Sequence, residues 1–369
     1  MPPDVLDLFT ELAALASPPG DERAVADVVV RYLRDCGLSV DEDDCGPPIG
    51  STMGNLYARL EPTADGEPLF FCAHLDTVPP TAAIEPVVDE GVVRNAAGTI
   101  LGADDKAAVA AMLEGTRRIL AEGRPHAGIE LVFTPKEEVG LVGAYACDHT
   151  RLQARLGYVY DQAAPIGHVI LGAPYSQSLE VTFHGRAAHS GMHPEDGRSA
   201  IAAAARAISE LRLGRVDEDS TANVGTITGG TATNIVPEWC TFVAEARSHD
   251  ERKLADLVQE MQDAITFAAG VAECDVQTIG RKSYRGYRFA KADRAVALAA
   301  GALQRCGHEV VYELSGGAAD ANVFNERGLE CVNLANGMTD IHTPAEHIAV
   351  ADLEAMVDVT LALVDAALA

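Results

Sequence analysis

Aromatic residues are scarce in this chain: 5% of 369 positions, with a single tryptophan. Hydrophobic residues still make up 48%, so a core must be built mainly from Ala, Val, Leu and Ile. That composition is globular and not disordered. Positive charge is also short, with 28 Lys and Arg against 55 Asp and Glu and a net charge of -27. So acidic a chain repels polyanions, which excludes nucleic acid and anionic membranes as partners. The acid is spread along the chain and forms no tail, so it reads as solvated surface. No C-x-x-C pair occurs among the eight cysteines. Scattered thiols of this kind point to a reducing compartment. No apolar run reaches membrane-spanning length, and the opening Met-Pro-Pro-Asp-Val-Leu-Asp-Leu lacks a basic segment. These absences predict a soluble, cytoplasmic protein. There is no internal repeat and no low-complexity stretch, and the length favours two domains over one small core.

What is present is organised around P-L-F-F-C-A-H-L-D-T-V-P at 68–79. Residues 69–73 form a short apolar run that reads as a buried strand. It delivers His74 and Asp76 to a strand end, where open α/β sheets present ligand groups. Further strands are predicted over 55–60, 129–133 and 156–160. The last two run into T-P-K-E-E and Asp161. Helices are predicted over 4–15, 22–36 (stopped by Gly37) and 106–120, the last following the turn Gly102-Ala103-Asp104-Asp105, and another helix is expected after the glutamate pair. The stretch 91–98 fits no template. From 178 the pattern changes to an alternating strand, an Ala-rich helix over 199–213, strands over 222–228 and 239–247, a helix over 250–267 capped by Asp250, and a strand over 272–279. This order, β-α-β-β-α-β, is the ferredoxin-like arrangement. After about residue 288 the first pattern resumes, with helices over 292–306 and 351–368, an extended stretch at 310–313, a Gly-rich turn at 315–322 leading into a helix, and a strand at 331–334. The fold class predicted is α/β: an α/β/α domain at 1–176 and 287–369, interrupted by a βαββαβ unit at 177–286.

Five separate segments offer His74, Asp104, Glu137 with Glu138, Asp161 and His342. Each has an ordinary explanation. Asp104 suits a helix N-cap, the two glutamates suit a first helical turn, Asp161 an ordinary strand end, and His342 a loop. Their common placement in turns and loops, mostly after strands, lets one sheet edge gather them. Carboxylates gathered in that way repel unless cations neutralise them. Two imidazoles among several carboxylates suit a pair of divalent ions, zinc first, with cobalt or manganese as alternatives. One carboxylate would bridge the ions, and another, left unligated, would serve as a base. Asp76 would hold the second nitrogen of His74 or sit just behind the metal.

Taken together, H-L-D-T-V-P, G-A-D-D-K, E-E-V-G-L-V-G-A and I-H-T-P-A-E resemble the M20 family of dinuclear zinc metallopeptidases, and within it the peptidase T-like proteins. The resemblance covers essentially the whole chain. It implies that His74 and Asp161 complete one metal site and Glu138 and His342 the other. It also implies that Asp104 bridges the ions, Asp76 orients the site and Glu137 is the general base. A cis peptide bond between Asp104 and Asp105 is expected on the same ground. The βαββαβ unit resembles the family's lid, which also forms a homodimer contact. There His189 would help stabilise the tetrahedral intermediate, often in the partner's site, while Asn234 and Arg247 would bind substrate carboxylate or backbone. The implied activity is hydrolysis of short peptides, with release of an N-terminal residue from a tripeptide as the leading case. Deacylation or desuccinylation of acyl-amino acids on the same core is the alternative, and a non-catalytic metal-binding protein is a third reading. Lys136 stands where many relatives carry an acid, and Asp161 where some carry Glu.

Overall fold

The structure is a computed structural model and describes residues 4–368. It divides into two compact units, one built from the chain up to Ala173 together with Arg288 onward, the other from Pro174–Tyr287.

The first unit is centred on a mixed sheet. Its strands lie in the order Val40–Glu42, Leu56–Leu60, Ile129–Thr134, Leu69–His74, Leu156–Gln162, Glu330–Ala335 and His168–Ala173, with Val311–Leu314 also paired to His168–Ala173. The central strands Ile129–Thr134, Leu69–His74, Leu156–Gln162 and Glu330–Ala335 run parallel to one another. Side chains alternate between faces along each strand. Leu69, Phe71 and Ala73 therefore join the large core that also contains residues of helices Val5–Ala13, Ala103–Glu122 and Val350–Ala366. Phe70 and Cys72 face the other way. The Phe70 ring packs on Phe324 of helix Asp320–Glu326 with centroids 4.9 Å apart, and Cys72 Sγ lies 3.7 Å from Asp320 Oδ2. Both faces are thus covered, which is why these strands read as continuous apolar runs. Gly157 is required here: a Cβ on it would come within 2.1 Å of the Phe70 ring.

The same alternation places the ligand groups. Tyr158 and Tyr160 point into the large core, so Asp161 points to the opposite face, as His74 does. His74 is paired with Thr134, and Cys72 with Val159. A one-residue slip in either pairing would bury the wrong face.

Several elements go beyond the sequence expectation, among them strand Val40–Glu42, helix Gly46–Ile49, a hairpin and a further sheet strand. The undecided stretch around 91–98 contains the second strand of a hairpin, Pro86–Asp89 with Val92–Asn95, joined by Glu90 and Gly91, both at positive φ. Two such residues make the hairpin turn that matches strand twist. His347–Ala349 pairs with Val92–Asn95 and completes a small sheet. Strand His168–Ala173 was not anticipated. It lies between turn formers and pairs antiparallel with Glu330–Ala335, a contact that only the tertiary fold supplies.

The second unit contains strands Tyr175–His184, Ser220–Gly229, Trp239–Ser248 and Asp275–Tyr284, with helices Ala200–Glu210 and Glu251–Val271. The strand order is Ser220–Gly229, Trp239–Ser248, Tyr175–His184, Asp275–Tyr284, all antiparallel, with the short Gly214–Arg215 at the edge. This is the ferredoxin-like arrangement. One face packs on the two helices through Leu179, Val181, Phe183, Phe242 and Ala244. Ser199 and Asp250 cap the helices, each accepting hydrogen bonds from first-turn N–H groups.

Candidate metal centre

Strand Leu69–His74 ends with His74 buried. Its Nδ1 lies 2.9 Å from the backbone oxygen of Asp76, which orients the ring and leaves Nε2 facing Asp104 Oδ1 at 3.2 Å. The other Asp104 oxygen lies 3.1 Å from His342 Nε2, and His342 Nε2 is 2.9 Å from Glu138 Oε1. One carboxylate therefore reaches both histidines. Ligand atoms of His74, Asp104 and Glu138 lie within 4.8 Å of one another, and so do those of Asp104, Asp105 and Asp161.

Asp104 does not act as an N-cap. It and Asp105 have non-helical backbone angles at the start of Ala103–Glu122, and the bond between them is cis, as the resemblance implies. The carboxylate of Glu346 takes the capping role. Its Oε2 accepts from Leu101 N at 2.7 Å and Gly102 N at 2.9 Å, and its Oε1 accepts from Asp104 N at 3.1 Å. Asp76 performs a parallel task on the other side of the site, accepting from Glu137 N at 2.9 Å and Glu138 N at 3.1 Å. Asp161 is held through its backbone: its N–H donates to Asn333 Oδ1, and Asn333 Nδ2 donates to its carbonyl, both at 2.9 Å. The helix expected after the glutamates is a single short one, Val142–Ala146. Lys136 donates Nζ to Ile49 O at 2.8 Å, which occupies its charge in a backbone contact.

The electrostatics are those of crowded, buried acid. Burial pushes the Glu137 carboxyl well up; His74 opposes this, and Asp161, Asp320 and Glu138 add to it. Asp161 is raised by burial and then by Asp104 and Asp105. Burial would also raise Asp104, but hydrogen bonds with His342 and His74 outweigh it and hold its pKa down. Both Asp105 oxygens are buried without a hydrogen-bond partner. Lys106 is the buried cation next in sequence, and it donates Nζ to Leu15 O at 2.5 Å. Two imidazoles among five carboxylates form a donor set short of positive charge, and divalent cations supply what is missing. The residues present fit such a group.

Sequence reasoning missed Glu346, Asn333, Asp105 and Asp320. Glu346 and Asn333 act on backbone atoms far away in the chain, so no local pattern reveals them. Asp105 was visible beside Asp104 in G-A-D-D-K, but it carried no signal separate from its neighbour.

Within the second unit, His189 and Asn234 come together. Ser190 N donates to Asn234 O at 3.1 Å, and His189 bridges to Ile235. The His189 Nδ1 accepts from Gly191 N and Met192 N, each at 3.2 Å. Arg247 lies elsewhere, near the end of strand Trp239–Ser248 remote from Trp239. Its guanidinium holds Glu245 at 2.7 and 3.1 Å and stands over the Tyr284 ring.

Comparison with known proteins places this geometry in context. The family model "Peptidase dimerisation domain" of the M20 peptidases matches residues 172–308, and the model "Peptidase family M28" matches 55–171. The chain is similar to the aminopeptidase PepT of Bacillus cereus, with 36% identity, 98% of each chain covered and a TM-score of 0.90. It is similar to a tripeptidase of Staphylococcus aureus at 34% identity, with 98% of this chain and 96% of that one covered and a TM-score of 0.93. It is also 37% identical over 367 residues to the YqjE protein of Bacillus subtilis, covering 98% of both.

Proposed function

The chain belongs to the M20 family of metallopeptidases, on its peptidase T-like branch, and from that premise we propose that it is an aminopeptidase that removes the N-terminal residue of short peptides, tripeptides first. The observation that carries the reading is Asp104, which offers one oxygen to His74 and the other to His342 while Glu137 is buried nearby. In this reading His74, Asp104 and Asp161 hold one divalent ion, and Asp104, Glu138 and His342 hold a second. Zinc suits this mixed imidazole and carboxylate set. The ions supply Lewis acidity and lower the pKa of water.

The remaining work falls to the chain. Asp76 fixes the glutamate pair through two N–H groups, so that Glu138 and Glu137 take different directions. Glu137 removes a proton from the attacking water as the new C–O bond forms. It then gives that proton to the amine as the C–N bond breaks. His189 donates to the developing oxyanion, and Asn234 and Arg247 bind substrate backbone or carboxylate, for which the guanidinium fork is suited. His189 and Asn234 lie near one end of strand Trp239–Ser248 and Arg247 near the other, roughly 25 Å away at the usual strand rise. That separation favours a homodimer in which the second unit of one protomer serves its partner's site. A cytoplasmic location agrees with the free thiols among the described residues, and no helix among them is long and apolar enough to cross a membrane.

The test is a substrate panel with protein reconstituted with zinc, cobalt or manganese. Cleavage of free tripeptides, abolished by N-blocking and by chelation, is the expected result. Turnover confined to N-acetyl or N-succinyl amino acids would overturn the aminopeptidase reading in favour of a deacylase on the same core.

A further inference from the structure

In the first unit a cavity of about 580 Å³ is lined by Cys147, Asp148, His149, Thr150, Leu152, Arg155, Arg327 and Leu329. None of these residues belongs to the metal centre. The cavity's charge is opposite in sign to that of the chain. Arg155 and Arg327 both line it, and among the described residues neither guanidinium has an ion-pair partner. Other arginines of the same unit are met by acids, as Arg117 and Arg118 are by Glu114 and Arg124 by Glu122 and Asp365, although not every arginine of the chain is. Asp148 is the one acid in the lining. Its Oδ1 is used within its own turn, accepting from Thr150 N at 3.1 Å and Thr150 Oγ1 at 2.6 Å.

The lining also carries His149. Its ring sits edge-on to Phe324, with centroids 5.2 Å apart. Its Nε2 is buried and has no hydrogen-bond partner. A buried polar atom left without a partner is costly, and native structures seldom leave one without a reason. Burial first, and then the neighbouring charge of Arg327, hold the imidazole below its usual pKa, against the opposing charge of Asp148. The two guanidinium forks are donors only, and they match an oxygen-rich anion.

We propose that this cavity binds a small oxyanion, a phosphate or carboxylate group gripped by Arg155 and Arg327, with the His149 ring in the same lining. The site stands apart from the peptidase reading and does not depend on it. Its wall connects to the metal centre along the chain, because the segment that begins with Glu137 and Glu138 runs through helix Val142–Ala146 straight into Cys147 and His149.

The test uses the metal-loaded protein with isotope-labelled histidine, the His149 resonance being assigned by its loss in His149→Gln. Inorganic phosphate is titrated in one arm and citrate in the other, at constant ionic strength so that screening does not change. The expected result is a saturable shift of the His149 signal. In the Arg155→Gln/Arg327→Gln double variant its midpoint should rise at least tenfold while the circular dichroism spectrum is unchanged. Whichever probe saturates at lower concentration identifies the phosphate or the carboxylate class. Phosphate that binds at the metal centre moves the His74 and His342 signals instead, equally in both proteins. A His149 signal that does not move with either anion, moves without saturating, or moves identically in the double variant would overturn the proposal.

Discussion

Replacing Asp76 with Asn removes one charge and almost no volume, and the structure sets its effect. The carboxylate accepts from two N–H groups through different oxygens, Oδ1 from Glu137 N and Oδ2 from Glu138 N. Asparagine has one acceptor oxygen, so one of these bonds must be lost and an NH₂ group turned toward an N–H. A hydrogen bond to a charged group contributes about 1.5–3 kcal/mol. Lost wholly from the transition state, that amount corresponds to roughly a 10- to 150-fold fall in kcat/KM. The same range is expected for groups that orient metal ligands, about 10- to 100-fold in affinity or activity. The assay is kcat/KM on a free tripeptide with saturating zinc, alongside metal content by atomic emission. We expect activity to fall within this range, with part of the loss appearing as weaker retention of the metal bound through Glu138. Activity within about threefold of wild type, with both metals retained, would refute the argument that Asp76 holds the glutamate pair.

Glu137→Gln should keep both metals yet lose about 10²- to 10⁴-fold or more in kcat, the usual contribution of a general base; near-full activity would remove Glu137 from that role. Glu346→Gln leaves one acceptor oxygen where three N–H groups converge, so metal affinity and Tm should both drop, and an unchanged metal dissociation constant would count against Glu346 as the support of Asp104. Asp320 is raised from 3.8 to about 6, mainly by burial, although the Thr134 hydroxyl holds it at 2.5 Å. A carboxyl whose folded pKa is raised costs stability as pH climbs from its unfolded value through its folded one. In the chelated protein, Asp320→Asn should therefore be more stable than wild type above pH 6, by roughly 3 kcal/mol at most, and gain nothing below about pH 4; urea titrations across that range decide it.

Much of the architecture was legible because its signals are local. The run before His74 is apolar because both faces of that strand are covered, and the βαββαβ unit announces itself by alternation and by its capping residues. Helix Arg23–Asp35 stops where Gly37 adopts a positive φ, a feature visible in sequence. The ligand candidates were legible as residue types at strand ends, and the register of the parallel strands explains why His74 and Asp161 share a face. What stayed hidden depends on contacts across the fold. Glu346 acts on N–H groups more than 240 positions away, and no spacing rule foretells that an acid four residues after His342 will shape the turn at Asp104. Strand His168–Ala173 is as long as Leu69–His74, but it leads into no ligand candidate and its place in the sheet is set by pairing with Glu330–Ala335. The Glu90-Gly91 turn was legible in principle, but the strands it joins, P-V-V-D and V-V-R-N, are short, largely exposed and carry their valines in adjacent pairs, so they show no alternation.

The points where the second unit begins and ends bear on how such a chain can change. Leu171 O accepts from Phe289 N at 2.6 Å in the first unit, and Ser176 is paired with Tyr284 in the second. The outgoing and returning strands of chain are thus neighbours on both sides of the junction. A short loop between residues 173 and 288 would close with little entropic penalty, and a foreign sequence with adjacent termini would fit the same gap. The insert behaves as a cassette: heredity or an engineer can exchange it, and with it the residues proposed to meet the substrate, without rethreading the sheet that carries the metal ligands.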